Sequence, residues 1–140
     1  MRVLLVGLIV AVTTLGIAAI VPAQTLSRKV IEVAMLEYKY EPHQIRFNEG
    51  DIVVMKLTNT GRLDHNISAR YWLNIPLTLR GDARQGISED RKWVALEPRK
   101  SGELEFVVQG RGSFPFLCTI FDHAARGKTG AFIVLAAGSP

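Results

Sequence analysis

The chain has 140 residues, enough for one domain and too few for two ordinary ones. Its 17 basic and 13 acidic residues give a formal net charge of +4, which fits an acidic partner or an anionic membrane surface. No run of Lys and Arg is interleaved with aromatic residues, so we expect no nucleic-acid binding.

The N-terminus resembles an export signal. Residues 3–21 are uncharged and apolar, and as a helix they would extend roughly 28 Å, about the thickness of a bilayer core. The run ends in Val21-Pro22-Ala23, small or short residues in the pattern that signal peptidase cleaves before Gln24. We predict a signal peptide over 1–23, a mature domain over 24–140 and a periplasmic or otherwise exported location. The alternative is an uncleaved membrane anchor formed by residues 3–21.

The rest of the chain contains short β-rich runs separated by turn residues. The segment 48–51 (NEGD) predicts a tight turn in which Gly50 takes a positive φ. Short strands at this spacing predict an all-β sandwich of two packed sheets. The predicted strands are 30–36, 44–47, 51–59, 103–108, 110–118 and 130–136.

The segment 70–91 fits this pattern least well. One strand is plausible from Tyr71 to Leu79, interrupted by Pro76, and a charged, Gly-containing loop follows it. We interpret the segment as an excursion at one edge of the sandwich, with a short helix as the alternative.

The single cysteine, Cys118, excludes an internal disulfide. The thiol is therefore a buried hydrophobe, a nucleophile, an intermolecular bridge or a metal ligand. His123 follows it by five residues, and His65 follows the predicted strand 51–59. Loops gather at one end of a sandwich, so these three residues can meet there. A thiolate with two imidazoles suits copper in a trigonal electron-transfer site, whereas structural zinc would need a fourth strong ligand.

Other polar residues have simpler interpretations. We expect His43 to be exposed, with an extra copper contact as the alternative. Asp64 and Asp122 each precede one of the two histidines, and we expect solvated carboxylates there. Their alternative role is to tune the site or to recognise a partner.

These residues resemble those of the cupredoxins, the small blue-copper proteins such as plastocyanin and azurin. The resemblance lies in YEPHQIRFNEGDIVVMKLTNTGRLDHNIS, in VALEPRKSGELEFVVQGRGSFPFLCTIFDH, and in Cys-x₄-His followed by Gly-x-x-Gly. It implies a Greek-key sandwich of two sheets that binds one Cu(I)/Cu(II) per chain. The implied ligands are His65, Cys118 and His123. Asn66 would tie its loop to the cysteine loop near Thr119 and so keep the site rigid.

The chain departs from the family at Lys128, which stands in GKTG where the family has a weak axial methionine. An ammonium cannot donate a lone pair to a metal. We therefore expect the side chain to swing into solvent. The alternative is a deprotonated amine that serves as an axial or near-axial ligand.

The resemblance implies a monomeric protein that is not an enzyme and that carries single electrons. It would dock an acidic redox partner through the exposed edge of a ligand histidine. The alternative is copper storage, delivery or resistance, with a copper-transfer partner. A thiol hydrolase built on Cys118 and a purely structural sandwich are the remaining alternatives.

Overall fold

The computed structural model describes residues 26–140. The predicted leader, 1–23, lies outside the described residues, so its cleavage and the domain boundary at residue 24 stay predictions. Within 26–140, no helix is both long and apolar enough to cross a membrane.

The described residues form eleven strands and one short 3-10 helix, Arg70–Trp72. The strands are β1 (Arg28–Met35), β2 (Tyr40–Glu41), β3 (Gln44–Asn48), β4 (Ile52–Asn59), β5 (His65–Ala69), β6 (Thr78–Gly81), β7 (Arg84–Ser88), β8 (Arg91–Leu96), β9 (Ser101–Val107), β10 (Gly112–Leu117) and β11 (Thr129–Leu135).

The strands form two sheets. One has the order β2-β1-β4-β9-β6, and the other has the order β3-β11-β10-β5-β8-β7. The pairs β1–β4 and β3–β11 are parallel, and the other pairs are antiparallel. The predicted all-β sandwich of two sheets is therefore confirmed.

Alternation along the strands places the apolar side chains between the sheets. Val33 and Met35 of β1 are buried, as are Ile45 and Phe47 of β3. All six strands predicted from the sequence occur, each beginning and ending within two residues of its expected bounds. The predicted turn at 48–51 is also present, with Gly50 at φ 88°.

The prediction of one strand over 71–79 is wrong. Tyr71 and Trp72 lie in the 3-10 helix, and both rings contact Phe106, with centroids 6.3 and 5.9 Å away. A strand would send two successive side chains to opposite faces, whereas a helical turn lets both rings enter the same core.

The charged loop expected after that strand is instead two edge strands. β6 borders the first sheet through β9, and β7 borders the second sheet through β8. Most side chains of β7 are exposed, so its sequence lacks the apolar alternation that identifies a strand. The expected position at the edge of the sandwich is correct.

Candidate metal centre

Three residues from two separate parts of the chain meet at one end of the sandwich. His65 is the first residue of β5, Cys118 directly follows β10, and His123 lies in the segment that joins β10 to β11. One potential ligand atom from each residue lies within 4.8 Å of the other two. The Cys118 Sγ and the His123 Nδ1 are 3.5 Å apart. The three residues expected to converge are thus adjacent, and all three are buried.

Backbone hydrogen bonds shape the loop that presents Cys118 and His123. The Lys128 N–H donates to the His123 carbonyl oxygen at 2.9 Å, and the Cys118 N–H donates to the Lys128 carbonyl oxygen at 3.1 Å. The His123 N–H donates to the Ile120 carbonyl oxygen at 3.2 Å. The loop therefore closes on itself and fixes the spacing between thiol and imidazole.

A side-chain amide joins this loop to the strand that carries His65. The Asn66 Nδ2 donates to the Thr119 Oγ1 at 2.7 Å, and the Thr119 N–H donates to the Asn66 Oδ1 at 2.9 Å. The Tyr40 hydroxyl donates to the Asn66 carbonyl oxygen. These bonds hold the two parts of the site in register, and they form the link between Asn66 and Thr119 that the cupredoxin resemblance implies.

Both imidazoles are neutral at neutral pH. Burial, with smaller contributions from the nearby Lys128 and His123, lowers the pKa of His65 to about 4. Burial also lowers the pKa of His123, again with Lys128 contributing. A neutral imidazole has a free lone pair, so both rings are in the protonation state that binds metals.

The histidine rings have unused nitrogens. Neither ring nitrogen of His65 has a hydrogen-bond partner among the described residues, although the side chain is fully buried. A buried polar atom without a partner is costly, and a bound metal would remove that cost for one nitrogen. The donor set of one thiol and two imidazoles suits copper and leaves no fourth thiol, imidazole or carboxylate in the cluster for tetrahedral zinc.

No protein-family model matches the chain, and no curated protein matches it. Solved structures do resemble it. An auracyanin of Roseiflexus castenholzii superposes with a TM-score of 0.58 at 20% identity, over 79% of this chain and 99% of the other. Auracyanin A of Chloroflexus aurantiacus, a "blue" copper protein, gives 0.56 at 13% identity, over 78% and 100% of the chains.

The chain has the cupredoxin fold.

A multicopper oxidase of Campylobacter jejuni also contains this fold. It superposes with a TM-score of 0.61 at 13% identity, and the match covers 82% of this chain and 31% of the oxidase. The cupredoxin fold thus occurs both in small copper proteins and as part of a larger enzyme. At such identities, the likeness defines the architecture alone.

The expectation that a ligand histidine exposes its edge is wrong. His65 is 0% exposed and His123 is 1% exposed. The Tyr38 ring stands edge-on to His123 with centroids 5.7 Å apart, and the Phe121 ring lies 6.1 Å from it. The turn between β1 and β2, which contains Tyr38, therefore covers the site together with Phe121.

The expectation that Lys128 swings into solvent is also wrong. The side chain is 0% exposed, its Nζ donates to the Leu36 carbonyl oxygen, and Nζ lies 5.2 Å from the centre of the Tyr40 ring. Its backbone is fixed to Cys118 and His123, so the side chain projects inward rather than along the surface. Burial lowers the pKa of Lys128 to about 8. Axial coordination by this amine stays a prediction.

The remaining polar residues behave as expected. His43 is exposed and lies outside the cluster of potential ligands, and Asp64 and Asp122 are exposed carboxylates. The negative charge of Asp122 acts to raise the pKa of His123, against the larger effect of burial.

Sequence reasoning missed Glu37, which lies between β1 and β2. One Glu37 carboxylate oxygen is 3.9 Å from the His65 Nε2. Nothing in the local sequence marks this residue, because its neighbours at the site come from the distant segment 61–65. Only the parallel pairing of β1 with β4 brings the two loops together.

Proposed function

We propose that His65, Cys118 and His123 bind one copper ion and that the protein carries single electrons between partner proteins. The observation that carries this proposal is the mutual distance of at most 4.8 Å between three buried ligand atoms of a His₂Cys set. When bound, copper would supply a centre that gains and loses one electron.

The described residues supply the rigidity that such a centre needs. The loop of Cys118 and His123 is closed by backbone hydrogen bonds, and the side chain of Asn66 joins it to β5. A site that moves little when its charge changes has little reorganisation to undergo. The same rigidity and burial would slow release of the metal to another protein, so we favour electron transfer over copper storage or delivery.

The surface above the histidines offers a docking area. Phe121 is 85% exposed, and Leu63 and Tyr38 are 40% and 37% exposed. Arg62 and Arg126 are exposed beside these residues. We propose that an acidic redox partner contacts this area and that the electron passes through the thin cover over His123. The protein has no catalytic role of its own in this proposal.

We also propose that the protein works outside the cytoplasm as a monomer. Residues 1–23 carry the sequence pattern of an export signal, which supports this location. This location can be tested by measuring the intact mass of the protein from the exported fraction of its native host, which shows at which residue the chain begins. Export with cleavage predicts a chain beginning at Gln24, whereas a full-length chain in the membrane fraction would establish the anchor.

A set of histidine variants tests the ligand assignment. His65→Gln and His123→Gln should each lower copper affinity by more than about 100-fold, since even outer hydrogen-bond partners of a ligand contribute about 10- to 100-fold. His43→Gln is the control and should bind as wild type. Copper content and chelator competition give the affinities. Equal affinity in all three variants and wild type would refute the assignment.

A further inference from the structure

His65 is a buried imidazole whose two nitrogens both need an explanation. The neutral ring carries one N–H and one lone pair, and neither nitrogen has a hydrogen-bond partner among residues 26–140. The Glu37 Oε1 lies 3.9 Å from the His65 Nε2. That separation is about 1 Å longer than a hydrogen bond. The negative charge of the Glu37 carboxylate therefore interacts with the dipole of the His65 imidazole without a hydrogen bond between them.

Glu37 is held in place by the loop that leads to His65. The Arg62 N–H donates to both carboxylate oxygens of Glu37, at 2.9 and 3.1 Å, and the Leu63 N–H donates to Oε1 at 3.1 Å. These bonds lower the pKa of Glu37, and the bond from Arg62 has the largest effect. The side chain is therefore an anion at neutral pH. The carboxylate therefore fastens the β1–β2 turn to the segment just before His65.

Gly61 leaves the space between the two groups open. A methyl group at Gly61 would lie 2.5 Å from the His65 Nε2 and 2.7 Å from the Glu37 Oε2. Both distances are shorter than atoms tolerate, so any larger residue would force the imidazole and the carboxylate apart. The approach of Glu37 to His65 thus depends on a glycine at this position.

We propose that Glu37 is a positioning residue for His65. Its carboxylate faces Nε2 and keeps the imidazole proton there, which leaves the lone pair of Nδ1 for a ligand. An outer carboxylate that fixes the tautomer and orientation of a histidine also raises the basicity of the opposite nitrogen. The claim that Nδ1 binds a metal rests on the copper site proposed above. The claim that Glu37 sets the tautomer of His65 does not depend on copper.

The first test uses the metal-free protein and the imidazole ¹⁵N shifts of His65 by NMR. The wild type should show mainly the Nε2–H tautomer. Glu37→Gln removes the charge but retains an oxygen that can accept from Arg62 and Leu63. The ratio of Nε2–H to Nδ1–H should then fall by about fivefold or more.

Two further variants separate positioning from general stability. Gly61→Ala inserts a methyl group between the same two groups without changing a charge, and it should lower the tautomer ratio in the same direction. Glu41→Gln is the matched control, because that carboxylate pairs with Lys39 and forms no hydrogen bond or ion pair with a histidine among residues 26–140. It should leave the His65 shifts unchanged. A wild type that is mainly Nδ1–H, or a folded Glu37→Gln protein with an unchanged ratio, overturns the proposal.

Copper binding provides the second readout and separates the two proposals. Glu37→Gln should still bind one copper per chain but with an altered EPR hyperfine splitting and reduction potential. If wild type binds no copper while the tautomer responds as expected, the copper function fails and the positioning role stands. If copper binds and both tautomer and EPR spectrum are insensitive to Glu37→Gln, the positioning role fails and the copper function stands.

Discussion

Replacing Lys128 with methionine should change how the stability of the metal-free protein depends on pH. The unfolded chain keeps the lysine proton up to a pKa near 10.5, whereas the folded protein loses it near pH 8, because burial disfavours the ammonium. Between these values the unfolded state binds more protons, so the free energy of unfolding rises with pH.

The pKa difference sets the size of this effect. At about 1.36 kcal/mol per pH unit, the shift corresponds to about 3 kcal/mol in total, of which about 2 kcal/mol falls between pH 7.5 and pH 9.5. Measurements should stop below pH 10. Burial raises the pKa values of Tyr40 and Tyr71 above 10, so above that pH the folded state keeps protons that the unfolded state loses, and the free energy of unfolding falls.

Urea denaturation followed by tryptophan fluorescence, with a chelator and a reductant present, gives the required free energies. Lys128→Met should be more stable than wild type at pH 7.5, and its advantage should shrink by about 2 kcal/mol at pH 9.5. Comparing the two proteins cancels the titrating groups that do not interact with Lys128, and His65 and His123, which do interact with it, have pKa values lowered to below this pH range. Two parallel stability curves over this range would refute a buried amine with a lowered pKa.

Three further predictions follow from individual contacts. Asn66→Ala should lower the free energy of unfolding of the metal-free protein by about 1–3 kcal/mol, since it removes both hydrogen bonds to Thr119; a loss below about 0.5 kcal/mol would contradict it. Phe121→Gly should raise stability by about 1 kcal/mol, because φ of Phe121 is 46°. A decrease in its denaturation midpoint would show that the exposed ring contributes more than the strain costs. Arg62→Gln should slow oxidation of the reduced copper protein by hexacyanoferrate(III) and weaken its salt dependence in stopped-flow measurements. Arg111→Gln, at the far end of β10 from Cys118, should not; equal effects of both changes would exclude docking near Arg62.

The sequence predicted strands such as β3 because their apolar residues alternate. Ile45 and Phe47 point into the core while their neighbours point out, and this period identifies a strand without any tertiary information. β5 was harder to recognise because all five of its residues are buried, which removes the alternation. β7 was hard to recognise for the opposite reason. It is the edge strand of its sheet and most of its side chains are exposed, so its sequence shows no apolar alternation.

The site was predictable as far as its residue types and spacing allowed. A thiol and two imidazoles near strand ends are visible in the sequence, and the structure brings them together. The environment of Lys128 was not visible, because Leu36 and Tyr40 come from a distant part of the chain. The same holds for the cover that Tyr38 forms over His123. Burial and electrostatics at a site depend on such long-range contacts.

The most direct test of the copper site is a Cu(II) titration of the metal-free domain followed by visible absorption and EPR. A strong thiolate-to-copper absorption band should grow and saturate at one equivalent of copper, and Cys118→Ser should abolish it. A wild-type protein without that band, or a Cys118→Ser protein with the same spectrum and stoichiometry, would contradict a copper centre built on His65, Cys118 and His123.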